Sequence, residues 1–237
     1  MKFSTKSRYA LRLMAELARY APGTTVPLKE ISERQNLSLK YLEQIVTPLA
    51  RVREISRPAI LKLLDVGVQG LIIPDVRSVE DVRRIVRFAK YAPIGQRGFC
   101  PSRKDGWGTD PQCGVLDTVT HFNSQTLVIP QCETAEALAE IETIVSMEGV
   151  DGIFIGPFDL SISMGMPGDF ENPKFCAALE RIRSACRAAN KPCLIFAGDG
   201  AQSAARFAQG YDGVAMSIDA ALIIRGIQEQ IRASRSE

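Results

Sequence analysis

Gly149-Val150-Asp151-Gly152-Ile153-Phe154-Ile155-Gly156-Pro157-Phe158-Asp159-Leu160-Ser161 is the stretch whose reading decides the fold. A short apolar run, Gly152 to Ile155, lies between glycines and gives way to a proline and an acid. A continuous apolar run of this length, bounded by turn residues, predicts a strand buried on both faces. The acid then falls just past the strand's end.

The same grammar repeats outward. Strands are predicted at Gly70 to Pro74, Thr126 to Ile129, Cys193 to Phe196 and Gly213 to Met216. Helices are predicted at Ile60 to Leu64, Val79 to Ala89, Ala135 to Met147, Pro173 to Asn190, Ala201 to Gln209 and Ala220 to Arg232. Short apolar strands alternating with helices imply a parallel sheet covered on both faces. Five strands are clear, a sixth is available in Ile45 to Val52, and a closed barrel needs eight. The segment from Gly95 to Asn123 reads as a long loop, which marks an active-site or interface loop.

In parallel α/β folds, chemistry gathers where strands end. Two carboxylates stand there: Glu133 after the strand ending at Ile129, and Asp159 after the strand ending at Ile155. An acid in such a place also serves as a helix cap, the role expected of Asp199 and Asp219.

The N-terminal part has a different pattern. Ser4-Thr5 caps a helix to about Tyr20, with Ala10, Leu13, Met14 and Leu17 on one face. Pro27 suits the first turn of a short second helix, running through Ile31 to Gln35. Asn36-Leu37-Ser38 is a tight turn, and Leu42, Ile45, Val46 and Leu49 stripe a third helix. This is helix-turn-helix spacing, and it offers Lys40, Tyr41 and Gln44 to a major groove. A plain three-helix packing unit has the same spacing. Charge follows the division: 11 basic against 5 acidic residues up to Arg57, and 18 against 22 after it. A basic segment favours nucleic acid.

The whole chain has 237 residues, 46% hydrophobic and 24% charged. A full barrel takes about 250 residues alone, so a complete barrel and a complete second domain do not both fit. No apolar run approaches the ~18 residues of a membrane span. Met1 to Lys6 lacks a signal-peptide core, so a cytoplasmic protein is expected. The six cysteines, Cys100, Cys113, Cys132, Cys176, Cys186 and Cys193, form no C-x-x-C pair and read as free thiols.

Two resemblances sharpen these readings. Gln131-Cys132-Glu133-Thr134-Ala135-Glu136-Ala137, the Gly149 to Ser161 stretch and Met164-Gly165-Met166-Pro167-Gly168 resemble the 4-hydroxy-2-oxoheptanedioate (2-oxo acid) aldolases, relatives of the citrate lyase β subunit. The likeness runs from about Arg51 to the C-terminus. It implies that Glu133 and Asp159 ligate Mg²⁺, Mn²⁺ or Co²⁺, and that Gln131 and the Gly156-Pro157 backbone line a pocket for pyruvate or another 2-oxo acid. It further implies that Arg51, at the end of the family's third strand, stabilises charge on the keto oxygen, while the metal stabilises the enolate formed in aldol cleavage or addition. An aldehyde is the second partner. Arg97-Gly98 and Trp107-Gly108 would lie in the loop near the substrate mouth, and the closing helix would pack in a homo-oligomer.

The segments Ser4 to Leu11, Leu28 to Gln35 and Ser38 to Ile45 resemble the winged-helix repressors that include the iron–sulfur cluster assembly regulator and the nitric-oxide-sensing repressor. That likeness covers about Met1 to Ala50. The wing, dimerisation helix and cysteine cluster of those repressors have no counterpart here. The aldolases' first two strands, with their acid–base histidine, have none either. His121, the single histidine, reads as a loop residue.

The fold expected is therefore an α/β, incomplete TIM-type (β/α) barrel lacking its first two strands, residues 51–237, preceded by a small all-α helix-turn-helix segment, residues 1–50. Thr47 to Val52 suits both the third strand of one family and the recognition helix of the other. The residue before Pro48 is biased against helix, and either state is open after it. Three readings follow: a class II aldolase with an incomplete catalytic set, a DNA-binding regulator carrying a barrel remnant, or a fusion with neither activity intact.

Overall fold

The computed structural model describes residues 16, 26–37, 49–100 and 114–235. The chain divides into two compact units, Met1–Thr47 with Ser217–Glu237, and Pro48–Met216.

In the first unit, helix α1 (Leu28–Gln35) begins after Pro27, which stands at its N-cap, one position before the first turn. Asn36 closes it in the left-handed conformation at φ 48°, and the N–H of Leu37 returns to the carbonyl of Ser32. Asparagine tolerates that region better than other non-glycine residues. Ile31 and Leu37 are buried together, with Val26 and Leu28 against them. The chain thus turns at Asn36, while Ser38, the last residue of the expected turn, lies outside the described residues. The flanking helices, and with them Lys40, Tyr41 and Gln44, lie outside the described residues.

The second unit contains a curled, parallel, six-stranded half-barrel. Its elements are β1 (Leu49–Arg51), α2 (Arg57–Asp65), β2 (Gly70–Ile73), α3 (Val79–Ala89), α4 (Val115–Gln125), β3 (Leu127–Cys132), α5 (Ala135–Ala139), α6 (Ile141–Ser146), β4 (Ile153–Ile155), α7 (Pro157–Ser163), α8 (Pro173–Ala188), β5 (Cys193–Ala197), α9 (Gly200–Ala208) and β6 (Gly213–Met216). The strands pair in chain order, β1 to β6. Sequential parallel pairing is what right-handed β-α-β crossovers build. Among the described residues β1 and β6 have one strand neighbour each, so the sheet has two edges.

Helix starts follow their side chains. Ser56, Ser78, Thr134, Asn172 and Asp199 each accept a hydrogen bond from an N–H of the turn they open. On α3, Val82, Ile85, Val86 and Ala89 face inward at helical spacing. They join Leu71, Ile73, Val128, Ile153, Ile155, Ile195 and the α8 residues Phe175 and Ile182 in the core between sheet and helices. Ile129 and Phe154 are buried outside that cluster, on the sheet's other face. Gly70 lies on this inner face: a Cβ there would be 2.3 Å from Leu49 Cδ2 and 3.1 Å from Leu127 Cβ. Glycine is what leaves room there for those two side chains.

Several expectations change. The ambiguous segment is strand at Leu49–Arg51, because it pairs with Gly70 to Ile72 of β2. The predicted helix from Ala135 to Met147 is two helices, broken at Glu140 (φ −107°, ψ 14°), whose Oε2 accepts from the N–H of Val79. The long loop ends in helix α4, which carries His121. It was missed because Thr118 is its only buried residue, and its position rests on Asn123, which bonds both backbone groups of Tyr91. Asp199 does cap α9, and Asp219 accepts from the N–H of Ala220 at the start of α10 (Asp219–Arg235). No helix among the described residues is long and apolar enough to cross a membrane.

Candidate active site

Parallel pairing sends the C-terminal ends of β1, β2, β3 and β4 to one edge of the half-barrel. Arg51 ends β1, Asp75 follows β2, Gln131 and Glu133 end and follow β3, and Asp159 sits in the first turn of α7, after β4. Arg51, Asp75, Arg77, Glu133, Thr134, Asp159, Ile162 and Ser163 line a cleft of about 370 Å³ there. Strand β3 runs further than expected, to Cys132, and so places Gln131 in the sheet rather than in a loop.

Glu133 is the floor of the site, 6% exposed. Its Oε1 accepts from the main-chain N–H of Asp75 at 2.6 Å, and its Oε2 accepts from the side-chain amide of Gln131. Gln131 in turn accepts from Nε of Arg51 at 3.3 Å. Arg51, Gln131 and Glu133 thus form a chain across β1 and β3. Gly156 closes over it; a Cβ there would stand 2.7 Å from Gln131 Nε2 and 2.9 Å from Glu133 Oε2. Pro157, buried, is the first residue of α7 and turns that helix so that Asp159 faces the cleft.

Electrostatics single out Glu133. Burial pushes its carboxyl above the ordinary glutamate range, and the negative charges of Asp159 and Asp75 push the same way, against the Asp75 N–H and Arg51. Two carboxylates held on one cleft, with Asp159 adding to the proton affinity of Glu133, suit a cation. Among the described residues no third histidine, cysteine or acid joins them in a metal-binding group. Any cation there would keep positions for water and a bidentate oxygen ligand, as hard divalent ions prefer.

The sequence-predicted residues Arg51, Gln131, Glu133, Gly156, Pro157 and Asp159 are therefore brought together. Asp75 and Arg77 were missed; the signal available was their place just past the apolar run Gly70 to Ile73. Arg97 does not belong to the cleft. Its guanidinium is buried, bonded to Asp65 at the C-terminal end of α2 at 2.8 Å and stacked on Tyr91 at 4.8 Å. Asp65 stands at the helix end that feeds β2, so this contact is at the opposite pole of the sheet. His121 is exposed, its ring against Phe122, and does not line the cleft. Trp107 and Gly108 lie outside the described residues.

Comparison with known proteins agrees with this fold. The family model of HpcH/HpaI aldolase/citrate lyase matches residues 34–226. The 2-keto-3-deoxy-L-rhamnonate aldolase of Salmonella gallinarum is 32% identical over 219 residues, covering 92% of this chain and 78% of its own. The enzyme of the same name from Salmonella schwarzengrund is 33% identical with the same shares. Among solved structures, an HpcH/HpaI aldolase from Desulfitobacterium hafniense superposes with a TM-score of 0.74 at 26% identity, covering 90% of this chain and 81% of that one. A Burkholderia cenocepacia protein of the HpcH/HpaI aldolase/citrate lyase family gives 0.75 at 27% identity, covering 99% and 93%. A second model, of the Rrf2 iron-dependent transcriptional regulators, matches residues 3–56. The aldolase match thus begins N-terminal of Arg51, and residues 34–56 fall under both models.

Proposed function

The chain belongs to the HpcH/HpaI aldolase/citrate lyase family, and from that premise we propose that it is a divalent-metal-dependent lyase that cleaves or forms the carbon–carbon bond between pyruvate, or a related 2-oxo acid, and an aldehyde. The observation that carries the reading is the cleft in which Glu133 and Asp159, from neighbouring strand ends, meet Arg51 and Gln131.

Glu133 and Asp159 hold Mg²⁺, Mn²⁺ or Co²⁺; their hard oxygens and the open side of the cleft fit such ions. When bound, the ion supplies a Lewis acid for the keto oxygen of the 2-oxo acid. Gln131 and the backbone at Gly156-Pro157 orient the acid, and the missing Cβ at Gly156 leaves it room. Arg51 places positive charge beside the keto oxygen as charge develops there, a preorganised electrostatic contribution. Its bond to Gln131 keeps both groups in register. No histidine among the described residues lines the cleft, so proton transfers fall to water. Loss of a positioned acid–base group costs on the order of 10²–10⁴ in rate. The relatives are named for 2-keto-3-deoxy-L-rhamnonate, so a 2-oxo-3-deoxy sugar acid is the first substrate to assay.

A thermal melt with and without Mn²⁺ plus pyruvate tests this reading. Ligand at about 100 times its Kd adds about 2.7 kcal/mol to the binding-competent state. The shift is expected to vanish with EDTA and in Glu133→Ala. A wild-type melt indifferent to both ligands removes the reading.

A second reading, favoured by the Rrf2 match over residues 3–56 and the turn at Asn36, is a DNA-binding regulator that reads duplex through Lys40, Tyr41 and Gln44. Duplex binding unchanged in Lys40→Ala and Gln44→Ala counts against it. The third reading, a fusion without either activity, rests on residues 34–56 being shared by both families; one cooperative melting transition argues against it. Helix α10, with Ile223, Ile224 and Ile227 more than half exposed, supports a homo-oligomer, to be checked by sedimentation.

A further inference from the structure

Arg77 is a charged group at the cleft to which the reading above gives no task. It lies between β2 and α3, and its main-chain N–H donates to Asp81 Oδ2 at 3.2 Å, which fixes the entry into α3. Its guanidinium is held from two sides. Nε and Nη2 reach Asp75 Oδ1 at 3.0 and 2.9 Å, and Nη1 approaches Glu136 Oε1 at 3.5 Å. A guanidinium has five N–H donors in a fixed fork. Three are committed here, and the remaining two have no acceptor among the described residues.

The cleft has a floor and a rim. Glu133 is 6% exposed, whereas the side chain of Arg77 is 59% exposed. On the aldolase reading, the 2-oxo acid fills the floor, between Glu133, Asp159, Gln131 and Arg51. Its aldehyde partner must then enter from the rim, with its oxygen turned toward whatever donors stand there. Arg51 is tied to Gln131 and to the floor. Arg77 is the other cation lining the cleft.

An exposed ion pair contributes little to stability, and that role alone would not need the guanidinium at the cleft. The two flanking acids do something more specific: they fix the fork's orientation and leave donors pointing free. Preorganised donors aimed at an oxygen that gains charge lower the barrier, because no reorganisation is needed during the reaction.

We propose that Arg77 is a catalytic residue that hydrogen-bonds the oxygen of the aldehyde partner, an inference that rests on the aldolase reading. In the cleavage direction the C3–C4 bond of a 4-hydroxy-2-oxo acid breaks and its electron pair stays with C3. The C4 hydroxyl gives its proton to water as C4–O becomes the aldehyde carbonyl, and C3 later takes a proton from water. Arg77 donates to the C4 oxygen while that oxygen loses its proton. It takes no part in proton exchange at the methyl group of pyruvate, which needs only the floor.

The test separates the two halves of the reaction in the full-length protein. Three quantities are measured with Mn²⁺: the melting shift on adding oxalate, deuterium uptake into the pyruvate methyl group by proton NMR, and pyruvate release from 4-hydroxy-2-oxopentanoate. Arg77→Gln is expected to slow release roughly 10²–10³-fold, the usual loss for one such donor, with oxalate shift and deuterium uptake unchanged. Arg77→Lys is expected to recover part of the release. Release at the wild-type rate in Arg77→Gln overturns the proposal. So does a parallel loss of all three signals, which would make Arg77 a structural support. An unaltered protein with neither oxalate shift nor deuterium uptake overturns the aldolase reading itself, and this proposal with it.

Discussion

Gly156 lies against Glu133 so closely that a β-carbon on it would be 2.9 Å from Oε2 and 3.1 Å from Cβ of that glutamate. Neither side can yield easily. Glu133 is pinned through Oε1 by the Asp75 N–H, and Gly156 is the last residue before α7. Gly156→Ala is therefore expected to cost about 1–3 kcal/mol as overpacking and to displace the carboxylate. Melting of the variant checks both parts: a lower midpoint without metal, and a loss of the Mn²⁺-dependent shift. A variant that keeps the full shift contradicts the assignment of Glu133 as a ligand.

The raised proton affinity of Glu133 has a definite sign. Folded protein holds the proton at pH values where the unfolded chain has released it, so without metal this group's contribution to stability falls as pH rises above its ordinary value of 4.5. Metal binding needs the carboxylate and runs the other way. Relative to Glu133→Gln, the metal-free wild type is expected to lose stability with rising pH, and the Mn²⁺-loaded wild type to gain it. Paired melts across the acid-to-neutral range measure the difference; parallel curves for the two proteins contradict the electrostatic account.

Asp159→Asn isolates the partner charge. It removes one of the two carboxylates that raise Glu133's proton affinity, so the metal-free protein is expected to be unchanged or slightly more stable. Mn²⁺ is expected to stabilise it no longer. If Asp159→Asn melts lower without metal and still responds to Mn²⁺, Asp159 is a structural residue and not a ligand.

Lys90 carries a different kind of buried charge, at the other pole of the sheet. It is 2% exposed, and its ammonium donates to the carbonyls of Asn123 and Thr126 and to Asp151 Oδ2. All three donors are used. Lys90→Met fills the space but takes the ammonium from two carbonyls and from Asp151, which keeps only the Val128 N–H on that oxygen, a cost on the order of 2–3 kcal/mol once the partial exposure of Asp151 is allowed for. Urea denaturation measures it. The double variant with Asp151→Asn is expected to recover part of the loss, and strict additivity of the two changes would argue against a coupled pair.

Most strands were legible because they are short apolar runs between turn residues: Ile153 to Ile155, buried on both faces, needs no context, and Gly213 to Met216 reads the same way although it is only partly buried at the sheet's edge. One helix start was legible because a single residue carries both the signal and the bond, as Asp199 does. Leu49 to Arg51 was not, since a three-residue strand takes its state from pairing with β2. Helix α4 was not, since its outward face is apolar, with Val115 and Leu116 exposed, and its anchor is a distant side-chain contact. Arg97 was misplaced for a related reason: spacing puts it in a loop, but not at one pole of the sheet or the other.

The sequence by itself determined the alternation of strand and helix, and it put two acids just past strand ends, because burial and strand termination are local properties of the chain. The chain Arg51–Gln131–Glu133, the main-chain bond from Asp75 and the place of Arg77 on the cleft were decided only by the tertiary structure. Each joins residues from different strands or the loops that follow them. Parallel pairing in chain order brings those ends side by side, and nothing within any one segment encodes the few ångströms between them.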